Sequence, residues 1–192
     1  MNDFSLLNDL NSSLKTLAGG GVILYPTDTI WGIGCDATNS KAIEKVFDIK
    51  KRAESKSLII LVDSEQMLAH YVSQVPDIVH DLIEQYDRPL TIIYPSAQNL
   101  PRNLVAPDGS IAIRVVRHPF CQQLISRFGK PITSTSANIS GMPSPASFQS
   151  ISAEVLQSVD YTVFFDRENP RAAIPSTIIR INLHGEFEII RG

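Results

Sequence analysis

Residues 22–34 read VILYPTDTIWGIG, and this stretch decides how the rest of the chain is interpreted. The short apolar run that ends at Pro26 is typical of a buried strand, and the polar residues after it indicate a loop. The loop carries three hydrogen-bonding side chains, those of Thr27, Asp28 and Thr29. Strand ends are where α/β sheets usually assemble ligand sites, so these side chains are candidates for orienting a polar substrate. A turn that begins at Pro26, with Gly32 and Gly34 supplying a permissive backbone, explains the same loop without a ligand.

Helical and extended patterns alternate around this stretch. Apolar spacing of three to four residues predicts helices at 6–17, 41–51, 64–70, 76–86, 119–128 and 152–158. Ser40 is the predicted N-cap of the second helix, and Pro76 is the predicted first residue of the fourth. Apolar runs predict strands at 22–26, 57–62, 89–95, 111–116, 131–137, 162–165, 176–181 and 186–191. NLHG separates the last two runs, as in an antiparallel hairpin.

This order of elements predicts the fold class. Helices that alternate with apolar strands are typical of an α/β sheet covered by helices, and the hairpin indicates mixed pairing. No internal repeat and no long polar linker divides the chain. We therefore expect a single domain over residues 1–192, built on a twisted mixed sheet with helices on its faces.

Composition limits the classes of function. The formal net charge of -3 and pI near 5.8 argue against an obligate nucleic-acid clamp, because such proteins bind phosphates through many Lys and Arg side chains. No stretch approaches the roughly 18 to 20 apolar residues that span a bilayer, and the N-terminus lacks a secretory signal, so we expect a cytoplasmic protein without a membrane partner. Cys35 and Cys121 are expected to be reduced thiols. The four scattered histidines predict no protein-bound metal.

A cationic cluster lies where a predicted helix gives way to a strand, at Lys50, Lys51, Arg52 and Lys56. Cations spaced in this way can clamp a triphosphate, since Arg offers a planar fork of donors and Lys a point charge. A solvated helix end is the alternative, because positive charge offsets the negative end of the helix dipole. The pattern alone leaves both interpretations open.

Arg114 stands inside the apolar run IAIRVV at 111–116. A buried cation is costly unless it meets an anion, so the sequence predicts a partner. The partner is either a structural Asp or Glu or a substrate carboxylate gripped by parallel hydrogen bonds.

The segment TSTSANISGMPSP at 133–145 is dense in hydroxyl and amide side chains. These groups suit a phosphate or a ribose, although an ordinary polar loop has the same composition. The chain contains no GxGxxG, P-loop or GxSxG pattern. Any nucleotide must therefore be held in another way, and covalent serine catalysis is not expected.

Four motifs in this order, PTDTIWGIGCDA, KKRAESKSL, SIAIRVVRHP and STSANISGMPSP, resemble the YrdC-like family of threonylcarbamoyl-AMP synthases in its short single-domain form. The resemblance implies a YrdC-like fold with a large cationic cavity. It also implies an enzyme that converts L-threonine, bicarbonate and ATP to threonylcarbamoyl-AMP and pyrophosphate, for N6-threonylcarbamoyladenosine modification of tRNA. Mg²⁺ would arrive with ATP, contact with tRNA would be indirect or weak, and downstream proteins would transfer the threonylcarbamoyl group.

The resemblance also assigns residues. The implied catalytic residues, which match a K-x-R-x-x-x-K pattern and would stabilise departing pyrophosphate, are Lys50, Arg52 and Lys56. The implied threonine-binding residues are Thr29, Arg114 and Ser134, with Arg114 on the carboxylate. The implied ATP-binding residues are Lys50, Arg52, Lys56, Ser110, Ser136, Asn138, Ser144 and Arg191. Ser176 matches a family position without an assigned role.

A second class of function remains open, a tRNA- or double-stranded-RNA-binding protein of the same fold associated with translation. Binding through phosphates would weaken steeply with salt and would not depend on threonine. A synthase instead requires Arg114 and releases pyrophosphate.

Overall fold

The computed structural model describes residues 3–51, 58–169 and 174–192. Its helices are α1 (Asp3–Ala18), α2 (Ser40–Lys50), α3 (Glu65–Leu68), α4 (Ile78–Gln85), α5 (Pro119–Phe128) and α6 (Ala153–Ser158). Its strands are β1 (Ile23–Tyr25), β2 (Gly32–Gly34), β3 (Ile59–Val62), β4 (Leu90–Tyr94), β5 (Ile111–Val115), β6 (Ile132–Ser136), β7 (Tyr161–Thr162), β8 (Thr177–Ile181) and β9 (Phe187–Arg191). Within these ranges, no helix combines the length and the apolar character needed to cross a membrane.

The described strands form one sheet in the order β7-β1-β2-β6-β3-β5-β4-β8-β9. The sheet is mixed: it contains parallel pairs, such as β3 with β5 and β4 with β8, and antiparallel pairs, such as β2 with β6. Strands β8 and β9 form the antiparallel hairpin predicted at the C-terminal end. The predicted mixed α/β sheet is therefore confirmed.

The central strands separate a core face from an open face. The isoleucines that lie side by side on the core face, each at most 1% exposed, are Ile60, Ile113, Ile92 and Ile179. Successive side chains of a strand point to opposite faces, so the next row points the other way. This second row is less buried and consists of Ile59, Ala112, Ile93 and Arg180. Helices α3 and α5 pack against the central strands. The less buried row of side chains defines the open face.

Two predicted helix starts are wrong by one or two residues. Asn39, not Ser40, caps α2: its backbone is extended and its side chain accepts a hydrogen bond from the Ala42 amide. Ser40 is instead the first helical residue. The fourth helix begins at Ile78, because Pro76 takes part in a tighter turn in which its carbonyl accepts from the Val79 amide at 3.0 Å.

The strand predicted at 162–165 is shorter than expected. Only Tyr161 and Thr162 pair with β1. The buried Asp9 carboxylate of α1 then accepts hydrogen bonds from the amides of Phe164 and Phe165, at 3.0 and 2.7 Å. Because a side chain satisfies these amides, the backbone does not need a strand partner there.

The end of the loop at 26–34 is a strand, contrary to the prediction of a continuous loop. Gly32–Gly34 form β2, which pairs antiparallel with both β1 and β6. A Cβ atom added at Gly34 would lie 1.9 Å from the Thr133 carbonyl oxygen. Close approach of two backbones therefore explains this glycine, and β2 carries little apolar signal because glycine occupies two of its three positions.

We expect Gly34→Ala to lower the free energy of unfolding by about 3 kcal/mol or more, because its added methyl group meets backbone that cannot rotate away. Urea unfolding followed by circular dichroism measures the change. Gly129→Ala is the matched control, since Gly129 has a φ of +70° but open space around its Cβ position. Its loss should be only about 1 kcal/mol, the cost of the left-handed backbone. Equal losses in the two variants would contradict the close-approach explanation.

Candidate functional site

A cleft of about 340 Å³ opens on the open face of the sheet. The predicted ligands that line it are Thr29, Arg114, Ser134, Ser136, Ser144 and Arg191. These residues come from the loop after β1, from β5, from β6 and its following loop, and from β9. The fold thus brings together most of the side chains that the sequence assigned to threonine and ATP.

Arg114 on β5 has a side chain that is only 4% exposed. Its Nη2 lies 3.2 Å from Asp28 Oδ1, and its Nη1 donates to Thr29 Oγ1 at 3.4 Å. For its Nε, no hydrogen-bond partner occurs in the described part of the chain. A structural carboxylate is therefore present, and a guanidinium with five N–H donors still has donors for a ligand.

The hydrogen bonds of the Thr27 and Thr29 hydroxyl groups beside Arg114 have a defined donor and acceptor. Thr27 Oγ1 donates its single proton to the Ile30 carbonyl at 2.6 Å and accepts from the Thr29 amide at 3.1 Å. In the 3.0 Å contact between the two hydroxyls, Thr29 must therefore be the donor. Because Thr29 Oγ1 also accepts from Arg114, one lone pair remains for a ligand. Thr29 can consequently receive a hydrogen bond from a substrate amine or hydroxyl.

Lys50 at the end of α2 is buried, with 2% of its surface exposed. Its Nζ donates to the Ser136 carbonyl at 2.5 Å and to Asn138 Oδ1 at 3.0 Å. Its own carbonyl accepts from the Ser140 amide at 2.9 Å. Lys50 therefore ties the helix end to the segment that follows β6. The alternative interpretation, a solvated end of the helix, applies to Lys51, which forms an ion pair with exposed Glu154. It does not apply to Lys50, which is buried.

Arg191 reaches the cleft from β9. Its Nε and Nη2 donate to the Ser176 carbonyl at 3.2 and 2.8 Å, and Ser176 Oγ lies 2.8 Å from Thr91 Oγ1. Burial and then the charge of Arg114 lower the pKa of Arg191 from its ordinary value. No Asp or Glu occurs among the described lining residues. Two partly desolvated cations without a lining carboxylate make this cleft suited to an anion.

Tyr25 lies beneath the same end of the sheet. Its hydroxyl donates to the Thr133 carbonyl at 2.9 Å. Burial raises the pKa of Tyr25 well above its usual value, and the hydrogen bond with Ser134 and the charge of Arg114 oppose that effect only in part. Tyr25 therefore remains a neutral hydrogen-bonding support and is not a proton donor or acceptor near neutral pH.

Ser110 does not line this cleft. It lines a larger neighbouring cleft of about 580 Å³, together with Asp108 and Arg180. Its Oγ donates to Asp108 at 2.6 Å, and this hydrogen bond followed by the Arg180 contact lowers the pKa of Asp108 to about 2. The larger cleft contains none of the other predicted ligands, so volume alone does not identify the site.

Two of the predicted catalytic residues, Arg52 and Lys56, lie outside the described residues. Asn138 contacts Lys50 without lining the cleft. Asp28 was a general candidate for orienting a polar substrate because it lies in the strand-end loop, but the family resemblance assigned it no role. Ser176, which had no assigned role, lines the cleft and holds Arg191.

The fold and the cleft together define an α/β protein whose cleft, on the open face of its sheet, has a lining suited to an anionic ligand. The chain belongs to the Sua5/YciO/YrdC family, whose sequence model, described as "Telomere recombination", matches residues 15–192. The resemblance to the YrdC-like family is therefore confirmed.

Two relatives illustrate the similarity. The threonylcarbamoyl-AMP synthase of Photobacterium profundum is 35% identical over 183 residues, which cover 91% of this chain and 99% of the relative. The threonylcarbamoyl-AMP synthase of Pseudoalteromonas translucida is 36% identical over 155 residues, which cover 79% of this chain and 83% of the relative.

Solved structures share the fold. Sua5 of P. abyssi complexed with L-threonine superposes with a TM-score of 0.79 at 25% identity, over 90% of this chain and 50% of Sua5. This chain therefore spans about half the length of that Sua5. YciO of E. coli superposes with a TM-score of 0.78 at 23% identity, over 95% of this chain and 87% of YciO, and supports the fold alone.

We expect inorganic pyrophosphate to raise the melting temperature by about 3–6 °C at a roughly tenfold excess over its dissociation constant, because an anion relieves the repulsion between Arg114 and Arg191. Differential scanning fluorimetry at low salt measures the shift. Arg191→Gln should reduce it at least by about half. Arg180→Gln, which removes the cation of the larger cleft, should leave it unchanged. A larger loss in Arg180→Gln than in Arg191→Gln would contradict this assignment.

Proposed function

We propose that this chain is an enzyme, a nucleotidyltransferase that forms threonylcarbamoyl-AMP and pyrophosphate from L-threonine, bicarbonate and ATP. The observation that carries the proposal is the buried Arg114 guanidinium. Together with Thr29, to which it donates a hydrogen bond, it lines a cleft whose described lining has no carboxylate. The threonylcarbamoyl-AMP synthases to which the chain is similar supply the substrate class.

The threonine end of the proposed site uses three side chains. Arg114 receives the substrate carboxylate through charge-assisted hydrogen bonds. The hydroxyl oxygen of Thr29 accepts a hydrogen bond from the substrate amine or hydroxyl through the lone pair that its other hydrogen bonds leave open. Ser134, which is 8% exposed on β6, contributes a further hydroxyl at the same end.

The nucleotide end of the proposed site follows β6. The cleft is lined here by Ser136, Ser144 and Arg191. Lys50 donates hydrogen bonds to the Ser136 carbonyl and to Asn138 Oδ1, and so holds the end of β6 in place. Lys50, Arg52 and Lys56 remain predicted catalytic phosphate ligands, and Asn138 remains a predicted ATP contact, although neither Lys50 nor Asn138 lines the cleft. Ser110 remains a weaker prediction because it faces the neighbouring cleft.

The proposed reaction has two steps. The threonine amine adds to bicarbonate, and loss of water gives a carbamate. A carbamate oxygen then attacks the α-phosphorus of ATP, and the bond to the β-phosphate oxygen breaks to release pyrophosphate. The chain contributes positioning of the carbamate against the α-phosphate and cationic stabilisation of the departing pyrophosphate.

Mg²⁺ enters the proposal as the companion of ATP. It prefers phosphate oxygens and water to a dedicated set of protein ligands. Among the described residues, no three His, Cys, Asp or Glu side chains cluster as metal ligands do.

The proposed product is an activated carbamate for tRNA modification. Separate proteins would transfer its threonylcarbamoyl group to tRNA, and tRNA itself would contact this chain weakly or indirectly. A cytoplasmic location remains the prediction for such an enzyme.

The proposal predicts that pyrophosphate release from ATP and bicarbonate depends on L-threonine. Arg114→Ala should lower kcat/KM for L-threonine by about 100-fold, the size of effect expected when a buried charged contact is removed. A coupled pyrophosphate assay measures the rates. Release that is equal with and without threonine would overturn the proposed substrate.

Two serine variants form a matched pair for the nucleotide end. Ser136→Ala should raise KM for ATP by about fivefold, because it removes a hydroxyl from the cleft, whereas Ser110→Ala should change it by less than about twofold. Steady-state kinetics with varied ATP compares them. A larger effect of Ser110→Ala would place the nucleotide in the neighbouring cleft. If the chain were instead an RNA-binding protein, RNA affinity would fall steeply with salt and would be indifferent to threonine.

A further inference from the structure

We infer that Asp28 is the positioning residue that holds the Arg114 guanidinium in the orientation that receives the substrate carboxylate, an inference that rests on the proposed function. Asp28 acts through Arg114 and does not itself touch the substrate. The sequence made Asp28 a candidate for orienting a polar substrate directly, whereas this inference gives it a role through Arg114.

Asp28 makes an ion pair through one carboxylate oxygen and a hydrogen bond through the other, and the geometry at Oδ1 is that of an ion pair and not of a hydrogen bond. Oδ1 lies 3.2 Å from Arg114 Nη2, and Oδ2 accepts a hydrogen bond from the Arg117 amide at 3.1 Å. Arg114 lies within β5, and Arg117 follows the end of that strand. The Asp28 carboxylate, whose side chain is 11% exposed, therefore connects the Arg117 amide beyond β5 to the Arg114 side chain within β5.

The backbone that holds Asp28 is itself anchored. The Arg117 guanidinium donates to the carbonyl of Tyr86 at 3.0 Å and to the carbonyl of Ile83, at the C-terminal end of α4. Cations are favoured at this end of a helix because its carbonyl groups point outward. Through the Arg117 amide, Asp28 is therefore connected to a residue that is itself hydrogen-bonded to α4, and these contacts restrain its position beside Arg114.

Thr29 is a weaker restraint on the same guanidinium. Its neutral hydroxyl meets Nη1 at 3.4 Å, near the limit for a hydrogen bond, whereas Asp28 supplies a full negative charge. Repulsion from the Arg191 cation acts on Arg114 from within the cleft. Without the charge at position 28, the long arginine side chain would lose its main restraint and would have to be ordered when substrate binds.

The Asp28→Asn variant distinguishes a role in positioning the Arg114 guanidinium from a role in folding the loop. The asparagine oxygen can still accept from the Arg117 amide, but the side chain no longer offers a negative charge to Arg114. We expect the affinity for L-threonine, measured by isothermal titration calorimetry without ATP, to fall about tenfold, the scale of ordering one long side chain. In the pyrophosphate assay KM for L-threonine should rise about tenfold, while KM for ATP should change by less than about twofold.

Asp160→Asn is the matched control. Asp160 also accepts a hydrogen bond from a backbone amide, that of Val22 at 2.7 Å, but contacts no arginine in the described part of the chain. Its loss should leave the affinity for L-threonine unchanged. An equal loss of threonine affinity in both variants would indicate a general effect on the fold and would overturn the positioning role.

A double-mutant cycle distinguishes action through Arg114 from an independent effect. Arg114→Lys keeps the charge but removes the planar fork that Asp28 orients. Adding Asp28→Asn to Arg114→Lys should therefore cause little further loss of threonine affinity. A further tenfold loss in that background, or an equal rise in KM for ATP, would overturn the inference.

Asp28→Glu is the second variant, and it keeps the positional role testable if Asp28→Asn does not fold. It retains the charge but displaces the carboxylate by one methylene group, so its threonine affinity should lie between those of the wild type and Asp28→Asn. If either variant bound L-threonine with wild-type affinity, the positioning role of Asp28 would be overturned and the proposed function would stand. Failure of the wild type to bind L-threonine would instead overturn the proposed function, and the inference with it.

Discussion

The ion pair between Arg114 and Asp28 joins the central strand β5 to the loop after β1, and the geometry of the cleft depends on it. Removing one partner of a buried pair typically costs about 3–5 kcal/mol, because the other charge is left without compensation. The loop must therefore lie over the open face of the sheet. This placement also requires β2 to turn back between β1 and β6, where only glycine allows the backbone at Gly34 to approach Thr133. One electrostatic contact and one steric constraint together hold the same loop.

The cleft combines two kinds of recognition at its two ends. Beside β5, a guanidinium donor and a hydroxyl acceptor lie next to each other, which suits an amino acid with its carboxylate and amine. Beyond β6, serine hydroxyls and a second guanidinium offer mainly donors, which suits phosphate oxygens. Because one cleft includes both ends, a carbamate at the first end would lie near a phosphorus held at the second. The protein can accelerate such a reaction through proximity and cationic stabilisation of charge, without a covalent intermediate on its own side chains.

Sequence patterns predicted the features that depend on many residues. The mixed sheet and the C-terminal hairpin followed from apolar runs in β3, β4, β5 and β8, and Arg114 stood out because a lone cation interrupted such a run. The strand β2 was missed because its glycines carry no apolar signal, and its existence depends on a neighbour distant in sequence. Ser110 lies only four positions before Arg114, yet its hydroxyl turns to Asp108, a choice set by the local turn. The sequence showed that Arg114 needs an anion but not that Asp28 supplies it, because that contact exists only after the sheet forms.

One wall of the cleft is built on the edge of the sheet. Arg191 belongs to β9, whose five residues are all exposed and which, among the described strands, pairs with β8 alone. Edge strands with few buried contacts open locally at much lower free energy than the centre of a sheet, and their amide hydrogens then exchange with solvent. Occupation of the cleft through Arg191 is consequently linked to the fraying equilibrium of β9: a bound anion protects these amides from exchange. By the reciprocity of such linkage, any strand that docks on the free edge of β9 changes the affinity of the cleft for its ligand.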